Sequence, residues 1–354
     1  MKRAVLIGFA AAALMSAGDP RLEPLTGLPP FPADNPPTPE KIRLGKELFF
    51  DEILSGGRRS CSTCHKPELY FTDGFSRAWG LHDMELRRKT PTVLNIGWHE
   101  SFFFDGRSPT LEKQAAEPIA NPLEMNSNPD KAAERIAADP YYQGLFAEAF
   151  PGEPITFEQV GKAIAAYERT LISANSPLDR YLQGDHSALN DAAKRGMELF
   201  TGKAGCVRCH NGPLLSDQQK HYTGVKEEMG DNDPGTKYKT QSLRDVMRRY
   251  SYMHNGAMLT INDVLDHYVQ GGSAPAGLTA EIEPIELSDE DRGDLIAFLK
   301  SLDGDVSALL DNSPDATDPF NFRRRRRVTV PVTAEEEEAA SSPVLDPNYR
   351  KPKR

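Results

Sequence analysis

The sequence predicts a mainly α-helical chain built from two similar domains, and three observations carry that prediction. Apolar residues recur at helical spacing in several segments, while no run alternates convincingly at period two. The pentapeptides Cys61-Ser62-Thr63-Cys64-His65 and Cys206-Val207-Arg208-Cys209-His210 share one pattern and use every cysteine in the chain. Upstream of each lies a related stretch, Gly45-Lys46-Glu47-Leu48-Phe49 and Gly196-Met197-Glu198-Leu199-Phe200. Repetition of this kind marks an internal duplication.

Taken in order, residues 1–17 read as a secretory signal: Lys2 and Arg3, an apolar run from Ala4 to Met15, and small residues around Ala17. That run is too short to span a bilayer, and no later segment is long and apolar enough to do so. Asp19 to Pro37 is proline-rich and is expected to wrap a domain without regular structure. Thr38 then caps a helix with Pro39 at its first position, and Ile42, Gly45, Leu48 and Phe49 share one face. Asp130 to Phe150 holds one or two short helices. Phe157 to Ile172 is a stronger candidate, with Val160, Ile164, Tyr167 and Leu171 in one stripe. Asp191 to Phe200 mirrors the first helix. Ser288 with Asp291 three residues on caps a last helix whose inner face is Leu295, Phe298, Leu299 and Leu302.

The boundary between domains is expected near Ser173 to Gly184, giving an N-terminal domain over 18–180 and a C-terminal one over 181–304. Residues 305–354 carry a block of five arginines (Arg323 to Arg327) and one of four glutamates (Glu335 to Glu338), and are expected to be a solvated, disordered tail. The formal net charge of -10 argues against a general nucleic-acid role and suits a protein that meets other redox proteins.

Two thiols separated by two residues can each form a thioether to a porphyrin vinyl group, and the next histidine can coordinate the iron. A lone motif could be chance or half a zinc site. Two copies with no cysteine left over make two covalent haem c groups the working premise, one on Cys61, Cys64 and His65, the other on Cys206, Cys209 and His210. The fold class is therefore two cytochrome c-like helical domains. Haem c is attached outside the bacterial inner membrane, which fits the signal and a periplasmic location. What faces each iron opposite its histidine separates a carrier from an enzyme: a six-coordinate iron passes electrons, and an open one can bind peroxide.

Further residues stand in an order that resembles the bacterial dihaem cytochrome c peroxidases and their relative MauG. They are Thr90-Pro-Thr-Val-Leu-Asn95, Phe104-Asp105-Gly106-Arg107, Gln114 with Pro118, Asn121-Pro122-Leu123-Glu124-Met125, Ala166-Tyr-Glu-Arg-Thr170, Leu243-Arg244 and Tyr252-Met-His-Asn-Gly256. The resemblance covers roughly residues 38 to 304. It implies that the N-terminal haem reacts with hydrogen peroxide and that the C-terminal haem supplies electrons or shares the oxidising equivalents. By position, Gln114, Pro118 and Glu124 would line the open face of the His65 haem. Glu124 would be the acid-base group that moves a proton between the peroxide oxygens. Arg244 would belong to the haem-binding set.

Opposite His210, the peroxidases place a methionine fourteen residues after the histidine of the motif matching Tyr252 to Gly256, and MauG places a tyrosine. In this chain that position is Tyr268, within a helix expected from Ile261 to Val269. A phenolate stabilises oxidised iron, whereas a thioether favours the ferrous state. His267, Met253 and Met258 are the other ligand candidates. Three positions depart from the family pattern. Phe104 stands where an inter-haem tryptophan relay is usual, Ala204 replaces the tryptophan that precedes the second motif in MauG, and Lys89 replaces an asparagine that helps bind an inter-haem calcium. The carbonyls of Arg249 and Ser251 would be the other calcium ligands, yet an ammonium at Lys89 would repel the ion, so calcium stays open. His82 lies near a loop histidine that caps the resting haem in some peroxidases.

Three readings follow. One is a peroxidase taking electrons from a small cytochrome c or cupredoxin. Another is a MauG-like enzyme oxidising residues of a protein substrate. The third is a dihaem electron carrier, which Glu124, Gln114 and Pro118 argue against.

Overall fold

The computed structural model describes residues 21–226 and 235–310. The expected signal at 1–17 and the tail from 311 onward lie outside the described residues. Helix α1 (Pro39–Phe50) begins as the sequence requires, with Thr38 Oγ1 accepting from Lys41 N at 3.2 Å and Pro39 opening the first turn. The first pentapeptide supplies α2 (Cys61–Cys64). Then come α3 (Leu111–Gln114), α4 (Ala116–Ala120), α5 (Pro129–Ala138), α6 (Pro140–Ala149) and α7 (Phe157–Glu168). The second half adds α8 (Pro177–Leu182), α9 (Asp191–Thr201), α10 (Ile261–Val269), α11 (Asp289–Lys300) and α12 (Ser307–Leu310). Among the described residues, sheet is confined to a two-residue antiparallel pair, β1 (Lys220–His221) with β2 (Tyr238–Lys239). None of the described helices is long and apolar enough to cross a membrane.

Each half closes on one helix crossing. An added Cβ on Gly45 would lie 1.9 Å from the Ala163 carbonyl oxygen, and one on Gly196 would lie 2.0 Å from that of Asp294. The repeated glycines therefore let α1 meet α7 and α9 meet α11 backbone to backbone. Beside each glycine an aromatic pair seals the crossing: Phe49 with Tyr167 at 5.3 Å, and Phe200 with Phe298 at 5.0 Å. Around them, Leu44, Leu48, Ile136, Phe146 and Ile164 form one core, and Leu265, Leu295, Phe298 and Leu302 another. Helix α8 buries Leu178 in the second core.

The duplication extends well past the first helices, at a constant offset of 150 residues over the middle of each half (Ser101 to Ser251, Gly106 to Gly256, Thr110 to Thr260). Asn95 and Asp245 both adopt left-handed backbone, at φ 59° and 55°, and each precedes a single helical turn. Phe103 and Met253 do the same at 66° and 64°. The tight turns Phe102 to Ser108 and Tyr252 to Met258 close with equivalent antiparallel bridges.

Two expectations need correction. The helix expected to reach Ile172 ends at Glu168, because the Leu171 carbonyl and the Ser173 backbone are taken by Asn95, with bonds of 2.8 Å each. Residues 305 and 306, expected to be solvated, are packed instead: Asp305 N donates to Ala174 O at 2.9 Å, and Val306, 4% exposed, joins the cluster of Phe71 and Leu171.

Candidate active site

Both pentapeptides open onto one continuous cavity of about 910 Å³ between the two halves. The two histidines are held alike. His65 Nδ1 lies 3.1 Å from Phe71 O and His210 Nδ1 lies 3.0 Å from Leu215 O. A backbone carbonyl on Nδ1 fixes the tautomer and leaves the opposite nitrogen, Nε2, for a metal. Burial lowers both imidazoles from their ordinary value, with those carbonyls partly offsetting it, so the rings are neutral donors. None of the four cysteines forms a disulfide. Burial pushes the Cys206 thiol up to about 11 and raises that of Cys61 as well.

Two covalently held haem c groups fit these residues. Each half presents two thiols and an oriented imidazole to the same cavity. The cavity also contains a polar atom with no protein partner, Glu168 Oε2, which is buried and unbonded. Burial raises Glu168 to about 8, leaving it a neutral carboxyl at neutral pH.

Over the first motif, α3 and α4 carry Gln114 and Pro118 into the cavity lining. Proline cannot donate to the residue four back, and the helix is interrupted at Ala115 where its counterpart α10 runs on unbroken. The loop after α4 folds back on it: Met125 N donates to Pro118 O at 3.2 Å and Ser127 N to Ile119 O at 2.8 Å. This puts Glu124 beside Pro118, where its carboxylate accepts from Asn121 Nδ2 at 2.7 Å. Burial raises the Glu124 pKa above the usual carboxylate range; the Asn121 bond and the charges of Arg107 and Arg59 partly counter it. Arg59 fixes the rim, donating to Trp79 O at 2.8 Å and approaching Cys64 Sγ at 3.9 Å.

Pro118 and Tyr268 occupy equivalent places in the duplication, 150 residues apart, and both line the cavity. A residue with no donor atom thus stands in the first half where a phenol stands in the second. Burial holds the Tyr268 hydroxyl well above its ordinary value, so without a metal it keeps its proton. Of the other ligand candidates, His267 Nε2 is taken by Thr223 O at 2.9 Å, Met258 is outside the cavity lining, and Met253 is within it. Phe104 and Ala204 also line the cavity, so neither departure from the family pattern is masked by a shift of chain.

Arg244 lines the cavity too, but its guanidinium is engaged in the fold. It makes two bonds to Asp179, at 2.9 and 2.8 Å, and donates to Pro213 O at 2.6 Å, with both partners of the ion pair almost fully buried. His82 is exposed and outside the lining. Lys89 Nζ donates to Ser251 O at 2.6 Å, the carbonyl expected to hold calcium. Sequence reasoning does not single out three residues that line the cavity, Glu168, Asn121 and Lys239. Glu168 sits inside a motif that was read only as a family mark. Asn121 was read the same way, and Lys239 is visible only through the 150-residue offset.

Both halves of the chain resemble known proteins. Residues 39–187 match the family model described as di-haem cytochrome c peroxidase, and 193–303 match cytochrome c. The methylamine utilization protein MauG of Methylorubrum extorquens is 44% identical over 295 residues, covering 79% of this chain and 83% of that protein. The cytochrome c551 peroxidase of Nitrosomonas europaea is 33% identical, with 84% and 88% covered. Among solved structures, a MauG-like protein associated with microbial copper homeostasis superposes with a TM-score of 0.71 at 34% identity, covering 83% of this chain and 97% of that one.

Proposed function

Because the chain belongs to the di-haem cytochrome c peroxidase and MauG family of peroxidase-type oxidoreductases, we propose that it is a MauG-like enzyme of the periplasm. In this reading it consumes hydrogen peroxide at the His65 side and draws the electrons from residues of a partner protein. The observation that carries this reading is the equivalence of Pro118 and Tyr268. It supports one side kept free of a protein ligand and one side given a hard oxygen donor.

Bound haem supplies the redox chemistry, in which peroxide takes up two electrons and two protons to give two waters. The protein handles the protons and the space. Glu124 accepts a proton from the nearer peroxide oxygen and returns it to the departing one, while Asn121 holds the carboxylate in place. Pro118 keeps bulk and competing donors away, and Gln114 offers an amide for orienting the bound oxygen. His65 and His210 would hold the haem irons as neutral imidazoles, oriented by the Phe71 and Leu215 carbonyls. Tyr268, as a phenolate ligand, would favour oxidised iron on its side, which suits storage of oxidising equivalents.

Phe104 and Ala204 favour a second reading, a peroxidase fed by a small cytochrome c or cupredoxin, because both remove an oxidisable ring from a route to a protein substrate. Electron paramagnetic resonance of the resting diferric protein tests what both readings share. One high-spin and one low-spin haem is the expected result. Two low-spin haems, both inert to peroxide, would leave only the carrier.

A further inference from the structure

Lys89 and Lys239 are equivalent residues of the two halves, and they make the same contacts in opposite directions across the seam. Lys89 N donates to His254 O at 3.2 Å, and Lys239 N donates to Phe104 O at 2.8 Å. Lys89 Nζ donates to Ser251 O, and Lys239 Nζ donates to Ser101 O. Ser101 and Ser251, Phe104 and His254 are themselves 150 residues apart. Both lysines line the central cavity, and neither has a carboxylate ion-pair partner among the described residues.

A divalent cation does not fit the Lys89 side of this seam. Calcium needs six to eight oxygen ligands, commonly with carboxylates among them. Here the carbonyl of Ser251 already accepts from Lys89 Nζ at 2.6 Å, and the positive charge of the Arg249 guanidinium acts on the same site. The one carboxylate acting on Lys89 is that of Asp73, whose oxygens already accept from Thr90 Oγ1 and Phe75 N. Burial, with the Arg249 charge, lowers Lys89 to about 7, so its role rests on position: an incoming ion would meet the Arg249 guanidinium and a carbonyl already in use.

We infer that the Lys89 side chain, tethered on the Ser251 carbonyl, takes the place of an inter-haem calcium, as one arm of a reciprocal lysine clasp across the domain seam, so that the enzyme is assembled without a divalent metal. Lys239 is the internal precedent: the same fold uses the same device at the equivalent position, where its ammonium also meets His99 Nδ1 at 3.0 Å. The inference concerns metal content and seam geometry, and it stands whichever partner supplies the electrons.

The test is metal analysis of the dihaem holoprotein, incubated with excess calcium chloride and desalted, together with its absorption spectrum before and after a calcium chelator. The wild-type protein is expected to retain no calcium and to show a chelator-insensitive spectrum. Lys89→Asn, which exchanges the ammonium for an oxygen donor, is expected to take up one calcium per chain. Lys239→Gln leaves Lys89 in place and is expected to take up none. Stoichiometric calcium in the wild-type protein would overturn the inference, and this arm holds even if the asparagine variant fails to fold. Calcium binding by Lys239→Gln, or a folded Lys89→Asn protein that binds none, would overturn it as well.

Discussion

Replacing Glu124 by glutamine keeps the shape of the side chain and removes its ability to carry a proton. General acid-base groups contribute about 10²–10⁴ in rate, so Glu124→Gln is expected to slow the reaction of the diferric protein with peroxide by that factor, about 3–5 kcal/mol of barrier. Glu124 must be ionised to accept the first proton, and burial raises its pKa. The rate should therefore fall as pH drops through that raised value, at a pH above the ordinary carboxylate range, and the glutamine variant should lack this limb. The Asn121 bond at 2.7 Å favours the ionised form. Such a bond to a charged group is worth about 1.5–3 kcal/mol, so Asn121→Ala should cut the ionised fraction below the limb by roughly ten- to a hundredfold. Because the folded protein holds this proton more tightly than the unfolded chain, ionising Glu124 costs stability as pH rises above the ordinary carboxylate value, a cost absent from the glutamine variant. Stopped-flow measurement of peroxide consumption against pH reads these effects. A Glu124→Gln protein within about threefold of wild type, with the same acid limb, would refute the role, since the expected loss is far larger.

Tyr268→Phe should alter the low-spin resonance signal of the diferric protein, and an unchanged spectrum would move the ligand to another residue such as Met253. Arg244→Met strands the buried Asp179 carboxylate, which burial alone would raise but which Arg244 and the Leu25 and Ser176 N–H groups hold below its ordinary value. Removing one partner of such a pair costs about 3–5 kcal/mol, to be read by denaturant unfolding at neutral pH. The contribution of Asp179 is present above its unfolded value and should fade only as pH falls through the lowered folded one. Gly45→Ala should be destabilising even though alanine is favoured over glycine in a helix by about 1 kcal/mol, because its Cβ meets the Ala163 carbonyl at 1.9 Å. A more stable variant would contradict that crossing.

Much of the fold was legible because its signals are local. Thr38 and Ser288 cap the helices they were expected to cap, and α10 occupies the expected span. The helix after Phe157 was drawn too long because what stops it is not local: Asn95, distant in sequence, claims the backbone of Leu171 and Ser173. Val306 was assigned to a solvated tail for the same reason, since the composition beyond it is charged while its own contacts are with Phe71 and Leu171. At the site, the thiols and histidines were readable from spacing alone. Spacing does not show that the Arg244 guanidinium, which lines the cavity, is held by Asp179. The second lysine of the clasp was not legible either, because a buried cation bonded to a carbonyl leaves no mark in composition or periodicity.

Addition of hydrogen peroxide to the diferric protein in the absence of any electron donor bears most directly on the proposed function. With Pro118 leaving one side free and Tyr268 favouring oxidised iron on the other, a long-lived state two oxidising equivalents above resting is predicted. No reaction until the His210 haem has been reduced would contradict it and point to a gated peroxidase.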